Sequence, residues 1–550
     1  MALLLDIFGF LSVILRGVVL TAQSLTIGGI VFLSLLLDPL TPRLGSDGAA
    51  ARRRCHALLR WSAVVLAGVE LVFVLTEASV LAGTIDISLA DALGADFARL
   101  GIVAMAASLA AAALTGRPIA TGRFSPLPLL GITILVAQVA SSHAAAQLNG
   151  RAPLLIADFA HMAGAAAWIG GIPYLLLTLQ QMRNPTDEAR IGRRFSLIAM
   201  GAVAILVGAG IVMAFTYIGS LEAFYGTAYG VMVGTKVLLL VGLLFLGAMN
   251  YRVVERLRRD PRTPILRLRR FAEVEIGVGL AVLFAAASLT SQPPAVDLTT
   301  DRASLHDIVE RLTPHWPRFE SPDYASLALS ELDAQLRGTV RTDAPRPEAY
   351  VPGEGIAPPR NAEDIAWSEY NHHWAGLFVL AIGLLALLER TGRAPWARHW
   401  PLVFLGLAAF LFLRSDPEVW PLGPVGFIAS LRDPEVVQHR IFVLLTVAFA
   451  LFEWRVRTGR LRRPGAALVF PLTTALGGTL LLTHSHALAN LKDQLLIEIS
   501  HVPLALCGIT AGWSRWLELR LDGRGSRIAA WVWPVAFVLV GLILLSYREA

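Results

Sequence analysis

Residues 196–219 read SLIAMGAVAILVGAGIVMAFTYIG, twenty-four consecutive positions without a charged side chain. As a helix this run is about 36 Å long at 1.5 Å per residue, more than the roughly 30 Å hydrocarbon core of a bilayer. Hydrocarbon offers the peptide groups no hydrogen-bond partners, so a lone spanning segment of this kind must be α-helical. Arg190, Arg193 and Arg194 stand just before the run, and no Lys or Arg follows until Lys236. The stretch therefore reads as a membrane span with one basic flank.

Working outward, similar runs recur along the chain. Spans are expected near 9–37, 57–82, 98–115, 126–147, 153–179, 196–219, 228–250 and 271–291. A second series is expected near 371–389, 400–414, 439–454, 465–486, 495–514 and 528–546. Composition agrees: 550 residues are 55% hydrophobic and 16% charged, with a mean hydropathy of +0.60. Soluble proteins carry about 25% charged residues, so a disordered, collagenous or ordinary cytosolic chain is excluded. The fold class expected is all-α, a polytopic transmembrane bundle of about fourteen spans. The first apolar stretch has no basic n-region before it and runs past Ile30, so it reads as a retained span rather than a cleaved leader.

The net charge is +6 and the pI about 9.6, a balance that in a membrane protein encodes topology rather than nucleic-acid binding. Thirty arginines fall on alternate loops, from Arg43 and Arg52–Arg54 through the 252–270 loop to Arg524 and Arg527. The intervening short loops hold Arg151, Arg432 and Lys492. Basic short loops stay cytoplasmic, which predicts both termini outside. The polar, proline-bearing stretch Pro293–Tyr370 interrupts the apolar rhythm on the outer side, with short helices expected over 301–312 and 324–336. The organisation expected is an eight-span module over 1–295, an outer linker over 296–370 and a six-span module over 371–550.

Absent motifs narrow the function. The chain has no P-loop, nucleophile elbow, H-E-x-x-H or dinucleotide fingerprint. Its two cysteines, Cys55 and Cys507, form no CxxC and no disulfide framework. Transport powered by a nucleotide site of its own is not expected, and no enzymatic activity is predicted.

Twelve histidines carry the main signal. His56 and His399 fall in basic loops, where a solvated role is expected, and His306 and His315 fall in the outer segment. The other eight lie on the outer half of the spans: His143, His161, His372, His373, His439, His484, His486 and His501. Imidazole in a bilayer is costly unless paired, and neutral imidazole is the commonest metal ligand. Six of these histidines come from four spans of one module, so a shared metal site is the reading; satisfied interfacial residues are the bland alternative for any one of them. His372 and His373 point about 100° apart on a helix, so one of the two is expected to be structural, as is one of His484 and His486. Imidazole without cysteine suits copper, zinc, iron or haem. Met162 beside His161 is the one methionine of interest among eight. Four charges lie within spans, Glu70, Lys236, Glu275 and Glu498, as candidate proton or cation relays, with structural ion pairing the alternative. Arg16 is expected to snorkel or pair.

Several of these pieces occur in an order that resembles the copper resistance protein D family. They are Ser142-His143-Ala144, the run from His161 through Trp168 to Gly170-Gly171, Tyr229-Gly230, Lys236, Asn250, and Glu275 ahead of Pro293-Pro294. The resemblance covers about residues 1–295. It implies eight spans, an outer N-terminus and an inner-membrane role in copper uptake beside a periplasmic copper-binding protein. The six-span extension, with Asn371-His372-His373-Trp374, Gln438-His439-Arg440, His484-Ser-His486 and His501-Val-Pro503, departs from the short form of the family.

The function expected is copper handling at a bacterial inner membrane, moving copper ions from periplasm towards cytoplasm, with lipid and copper as partners and no nucleic acid. His143 and His161 are the expected entry site. His439, His484, His486 and His501 with His372 or His373 are a second site for copper or haem b. The alternatives are a haem-binding protein that reduces copper before uptake, and an assembly factor delivering copper to a respiratory oxidase.

Overall fold

The computed structural model describes residues 2–117, 125–146, 150–299, 302–323, 327, 361–483 and 491–549. Among the described residues there is no strand, and one isolated β-bridge joins Val419 and Val425. Eleven helical stretches are long and apolar enough to cross a membrane, and Leu127–Ala140 and Ala466–Leu481 are shorter apolar helices. The stretch Phe8–Ile85 contains two of the expected spans, so each of the fourteen contains helix among the described residues. The protein is an all-α, multi-pass membrane bundle.

It divides into two compact units, one of Met1, Phe8–Phe224 and Met232–Thr299, the other of Ala2–Ile7, Tyr225–Val231 and Thr300–Ala550. The helices of the N-terminal half are α1 (Ala2–Phe32), α2 (Asp38–Ile85), α3 (Leu89–Leu93), α4 (Asp96–Leu114), α5 (Leu127–Ala140) and α6 (His143–Ala146). They continue as α7 (Arg151–Trp168), α8 (Ile172–Leu179), α9 (Pro185–Tyr217), α10 (Leu221–Gly226), α11 (Ala228–Arg259) and α12 (Leu266–Thr290).

Local chemistry explains how α9, the helix of the opening stretch, begins. Asn184 accepts a hydrogen bond from the Thr186 amide at 2.9 Å, Pro185 takes the first helical position, and Asp187 and Glu188 sit at the positive end of the helix dipole. The connection between the first two spans differs from the loop expected. It is helical, joined to α1 by a π turn at Leu33–Leu37 and broken at Gly45, whose φ of +58° suits a residue without Cβ. The fourth span is also shorter than expected. α5 stops at Ala140, where the Ser141 and Ser142 hydroxyls donate to the Gln138 and Val139 carbonyls and compete with continued helix.

Close backbone approach organises this unit. A Cβ on Gly170 would lie 1.9 Å from the Ser24 carbonyl oxygen, so α1 and the end of α7 pack at a separation that a larger residue forbids. The Tyr174 hydroxyl then donates to the Leu25 carbonyl at 2.9 Å. Phe32, Leu33, Leu36 and Leu37 complete the core against Tyr174 and Phe195.

The second unit begins with α13 (Leu305–Leu312), started by a capping box in which Ser304 and Asp307 satisfy one another's amides. The second helix expected in this segment, over 324–336, lies outside the described residues apart from Leu327. Then come α14 (Ala362–Arg390), a 3₁₀ turn at Pro395–Leu402 running into α15 (Val403–Arg414), α16 (Phe427–Ser430), α17 (Pro434–Arg457), α18 (Val469–Leu481), α19 (Leu491–Arg520) and α20 (Gly523–Leu545). α14 packs on α20, and α19 packs on both α18 and α20. The α18–α19 contact is drawn tight at Gly478, where a Cβ would sit 2.7 Å from the Ile509 amide.

At its arginine-rich end this unit is knit by a buried charged layer. Arg457 binds Glu389 at 3.0 Å and Glu453 at 2.8 Å. Arg515 binds Glu518 at 2.6 Å, and Arg390 pairs with the same carboxylate. The Trp533 indole donates to Glu518 at 2.7 Å and the Trp400 indole to Glu389 at 3.1 Å. The Arg457 guanidinium also lies 4.9 Å from the Trp400 ring centre and 5.2 Å from that of Trp533, within cation–π range. Arg390, Arg457 and Arg515, which the sequence places in basic loops, are thus drawn into the bundle.

Candidate functional site

Three groups of charged and polar side chains within the first unit bear on function. Near the arginine-poor end, α7 presents Asp158 and His161 one turn apart on similar faces. Asp158 is buried, has the Ser142 hydroxyl within hydrogen-bonding reach, and has Arg16, Lys236 and His143 as electrostatic neighbours. His161 bonds through Nδ1 to the Leu206 carbonyl at 3.0 Å and also has Lys236 as a neighbour. A carbonyl accepts, so Nδ1 carries the proton and Nε2 is the lone-pair nitrogen. His143 is exposed, and its Nε2 lies 2.9 Å from the Thr290 carbonyl. Gly210 faces the His161 ring, where an added Cβ would stand 3.4 Å away. Met162 turns away from this group and packs into the apolar cores.

Asp158 is the residue that sequence reading missed. Its signal was available: an acid seven residues into a span, one turn before a histidine. It was hidden because it lies close to Arg151 at the span edge, where a carboxylate ordinarily reaches water.

The second group is a hydrogen-bonded network that shares Arg16 with the first. Arg16 donates to the Gln138 side-chain oxygen at 3.0 Å, and the Gln138 amide donates to both Glu70 oxygens at 3.1 and 3.2 Å. Arg16 therefore pairs rather than snorkels, and Glu70 is tied into the contacts among α1, α2 and α5. The third group lies towards the arginine-rich end, where Asn250 donates to the buried Glu275 carboxylate. Both line a cavity of about 570 Å³ whose other walls are mostly apolar, including Phe195, Ala199 and Leu244. His56, expected in a solvated loop, is instead 7% exposed because α2 is already helical there.

In the second unit His372 and His501 come together, with ring centres 6.1 Å apart. His373, next to His372, points elsewhere. Its Nδ1 accepts from the Arg318 amide at 2.7 Å and its Nε2 bonds to the Tyr547 carbonyl at 2.8 Å, so backbone groups occupy both nitrogens. His439 bonds through Nδ1 to Asp416 at 2.6 Å. Glu498 is buried one turn before His501, whose Nδ1 is held by the Ile497 carbonyl at 2.8 Å. His484 and His486 lie outside the described residues. His399, expected in a solvated loop, accepts from the Trp454 indole at 2.8 Å. His306 and His315 are exposed. Among the described residues no three His, Cys, Asp or Glu side chains gather closely enough to hold a metal ion.

Residues 189–289 match the family model for copper resistance protein D. The matched segment runs from α9 through α12. The match takes in Lys236, Asn250 and Glu275, and leaves His143, Asp158 and His161 before it. Copper transport protein CutJ of Bacillus subtilis (strain 168) is 32% identical to this chain over 163 residues, 29% of this chain and 29% of that protein. The chain thus spans less than a third of the length of that relative. No solved structure matches the chain. The chain is a multi-pass membrane bundle carrying a segment similar to copper-handling proteins, and all of that segment but Tyr225–Val231 belongs to the first unit.

Proposed function

We propose that the first unit carries copper ions across the membrane, entering at the arginine-poor, periplasmic face and leaving towards the cytoplasm. The observation that carries the reading is the buried Asp158, flanked by His143 and Lys236 one turn from His161, on a bundle whose next helices match the copper family. A cation leaving water for a bilayer needs a carboxylate and lone-pair nitrogens to replace its hydration. Asp158 supplies the charge, and Nε2 of His161 supplies the nitrogen. His143, at the exposed edge, is the first imidazole an incoming ion meets.

Lys236 has a role that follows from Coulomb's law. In the absence of cargo its ammonium balances Asp158, so the site does not hold an uncompensated charge in hydrocarbon. An arriving cation competes with Lys236 for the same carboxylate, and its entry weakens the pair. Towards the cytoplasm, Glu275 and Asn250 are the next polar groups, in the lining of the mostly apolar cavity described above. A periplasmic copper-binding protein delivering the ion fits the same direction.

The test is copper uptake by the full-length protein in proteoliposomes loaded with a chromogenic copper chelator. Uptake by the wild type and a loss of at least tenfold in Asp158→Asn and His161→Ala support the reading. Wild-type protein that binds copper and moves none overturns transport and favours delivery of copper to an oxidase.

A further inference from the structure

Between α9 and α11 the first unit has a cleft that the proposed copper route touches only at its polar edge. It is the cavity of about 570 Å³, a volume within the range of small-ligand sites. Small residues make it: Gly192, Ser196, Ala199 and Ala204 on α9, Gly247 and Ala248 on α11. At the arginine-rich end the two helices close on one another, since a Cβ on Gly192 would lie 2.9 Å from the Val254 side chain. Farther in they part, and a Cβ on Gly247 would meet nothing within 4 Å. Met200, Leu244 and Tyr251 of the lining are 49%, 39% and 45% exposed, so the cleft opens sideways, where a membrane span meets lipid. The lining runs about 15 Å along α11, from Val254 to Leu244, and about 22 Å along α9. One leaflet of hydrocarbon is about 15 Å deep, so the cleft has the length of an acyl chain.

The polar end of the cleft is incomplete. Glu275 is buried, and its hydrogen-bond partner is the neutral Asn250 amide; among the described residues no lysine or arginine pairs with it. The side-chain oxygen of Asn250 is also buried and has no hydrogen-bond partner among the described residues. A buried acceptor without a donor costs free energy, and a buried carboxylate without a cation costs more. Together they call for a head that donates N–H bonds and carries positive charge, joined to an apolar tail. Exposed Arg193 and Arg252 follow the lining residues Gly192 and Tyr251 in the chain, which suits an anionic group beside that cation.

We propose that the α9–α11 cleft binds one phospholipid with a primary-ammonium head, phosphatidylethanolamine in chemical class. Its acyl chain lies along the small residues of α9 and α11, its ammonium donates to Glu275 and to the Asn250 oxygen, and its phosphate sits against Arg193 and Arg252. Charge and donors select this head. Phosphatidylcholine carries a cation with no N–H to donate, and phosphatidylglycerol has hydroxyl donors and no cation. Where the first unit carries copper, the ion and the ammonium take Glu275 in turn, as copper and Lys236 take Asp158. The lipid site itself does not depend on that transport.

The experiment is photolabelling of the delipidated full-length protein in detergent with phosphatidylethanolamine carrying a diazirine on its acyl chain, followed by mass spectrometry of the peptides. Label is expected on residues 199–207 and 244–248. Unlabelled phosphatidylethanolamine should compete about tenfold more strongly than phosphatidylcholine or phosphatidylglycerol, the weight of one hydrogen bond to a charged group. Label confined to other helices overturns the site, and so does equal competition by all three lipids, the mark of an unselective lipid shell. Stronger competition by phosphatidylglycerol overturns it in favour of an anionic lipid held by the arginines alone. Gly247→Leu fills the open space and should remove the label from both stretches while the thermal unfolding transition stays in place; label that persists in the folded variant also overturns the site. Should that variant not fold, Glu275→Gln carries the test: it should erase the preference for phosphatidylethanolamine over phosphatidylcholine, and a preference that survives overturns the site. No readout here involves copper, so a protein that takes up the lipid and moves no copper would end the transport reading and leave this one standing.

Discussion

The two units bury charge in opposite ways. In the first, ionisable groups are spaced along the bundle: Asp158, His161 and Lys236 near one end, and Glu275 with Asn250 towards the other. In the second, Arg390, Arg457, Arg515, Glu389, Glu453 and Glu518 gather in one layer, each carboxylate paired and two of them also held by tryptophan indoles. Equal numbers of arginine and carboxylate make that layer nearly neutral, and it draws on α14, α17 and α19 together. Charges strung across a membrane make a route for an ion, whereas charges gathered in one plane make a joint. The contrast is the one expected if the first unit conducts, as proposed, and the second serves as a rigid frame.

The sharpest way to break this contrast is Arg457→Leu. The change strands Glu389 and Glu453 beside Trp400 and Phe470, and removing one partner of a buried ion pair costs about 3–5 kcal/mol. Tryptophan fluorescence during thermal unfolding in detergent should show the second unit melting early while copper uptake by surviving protein persists. If the unfolding transition does not move, the layer is not a joint. Replacing Arg457, Glu389 and Glu453 together with leucine should recover much of the loss, because no charge is then left unpaired.

The sequence conveyed the spans well because a membrane imposes a length and a polarity that a single segment must satisfy alone. All fourteen helices follow from that rule, including the one near 400–414, which reaches spanning length by the 3₁₀ turn before it. Side-chain partnerships were less legible, since they depend on which helices pack. Glu70 and Lys236 looked alike in sequence, as lone charges inside spans. Glu70 proves to be held by Gln138 on another helix, while Lys236 faces Asp158 and His161. The adjacent His372 and His373 were distinguishable only as a pair pointing apart; packing decides that His373 serves the backbone of Arg318 and Tyr547. The arginines of 455–457 and 515 read as a pattern marking one side of the membrane, and nothing in that pattern predicted a buried layer.

A smaller effect is expected in the hydrogen-bonded network of the first unit. Arg16→Met removes the donor to Gln138 and the guanidinium nearest Glu70, while the Gln138 amide still holds that carboxylate. Hydrogen bonds to charged groups contribute about 1.5–3 kcal/mol, so a loss of about 2 kcal/mol is expected in chemical denaturation. Glu70→Gln added to Arg16→Met should restore part of it. A loss of uptake larger than the loss of folded protein would instead place Glu70 on the ion's route.

The smallest structural effect with a functional consequence should be His143→Ala. The ring is exposed, and its described bond is the one to the Thr290 carbonyl, so stability should change by no more than about 0.5 kcal/mol, as for most surface substitutions. Its position beside Asp158 gives it a different weight in capture. If the imidazole contributes about 1 kcal/mol to holding the incoming ion, uptake at low copper should fall about fivefold and recover at high copper. Initial uptake rates across a copper series separate the outcomes. A drop that persists at saturation means that His143 takes part after entry, and unchanged rates at every concentration remove it from the route, leaving Asp158 and His161 as the first groups the ion meets.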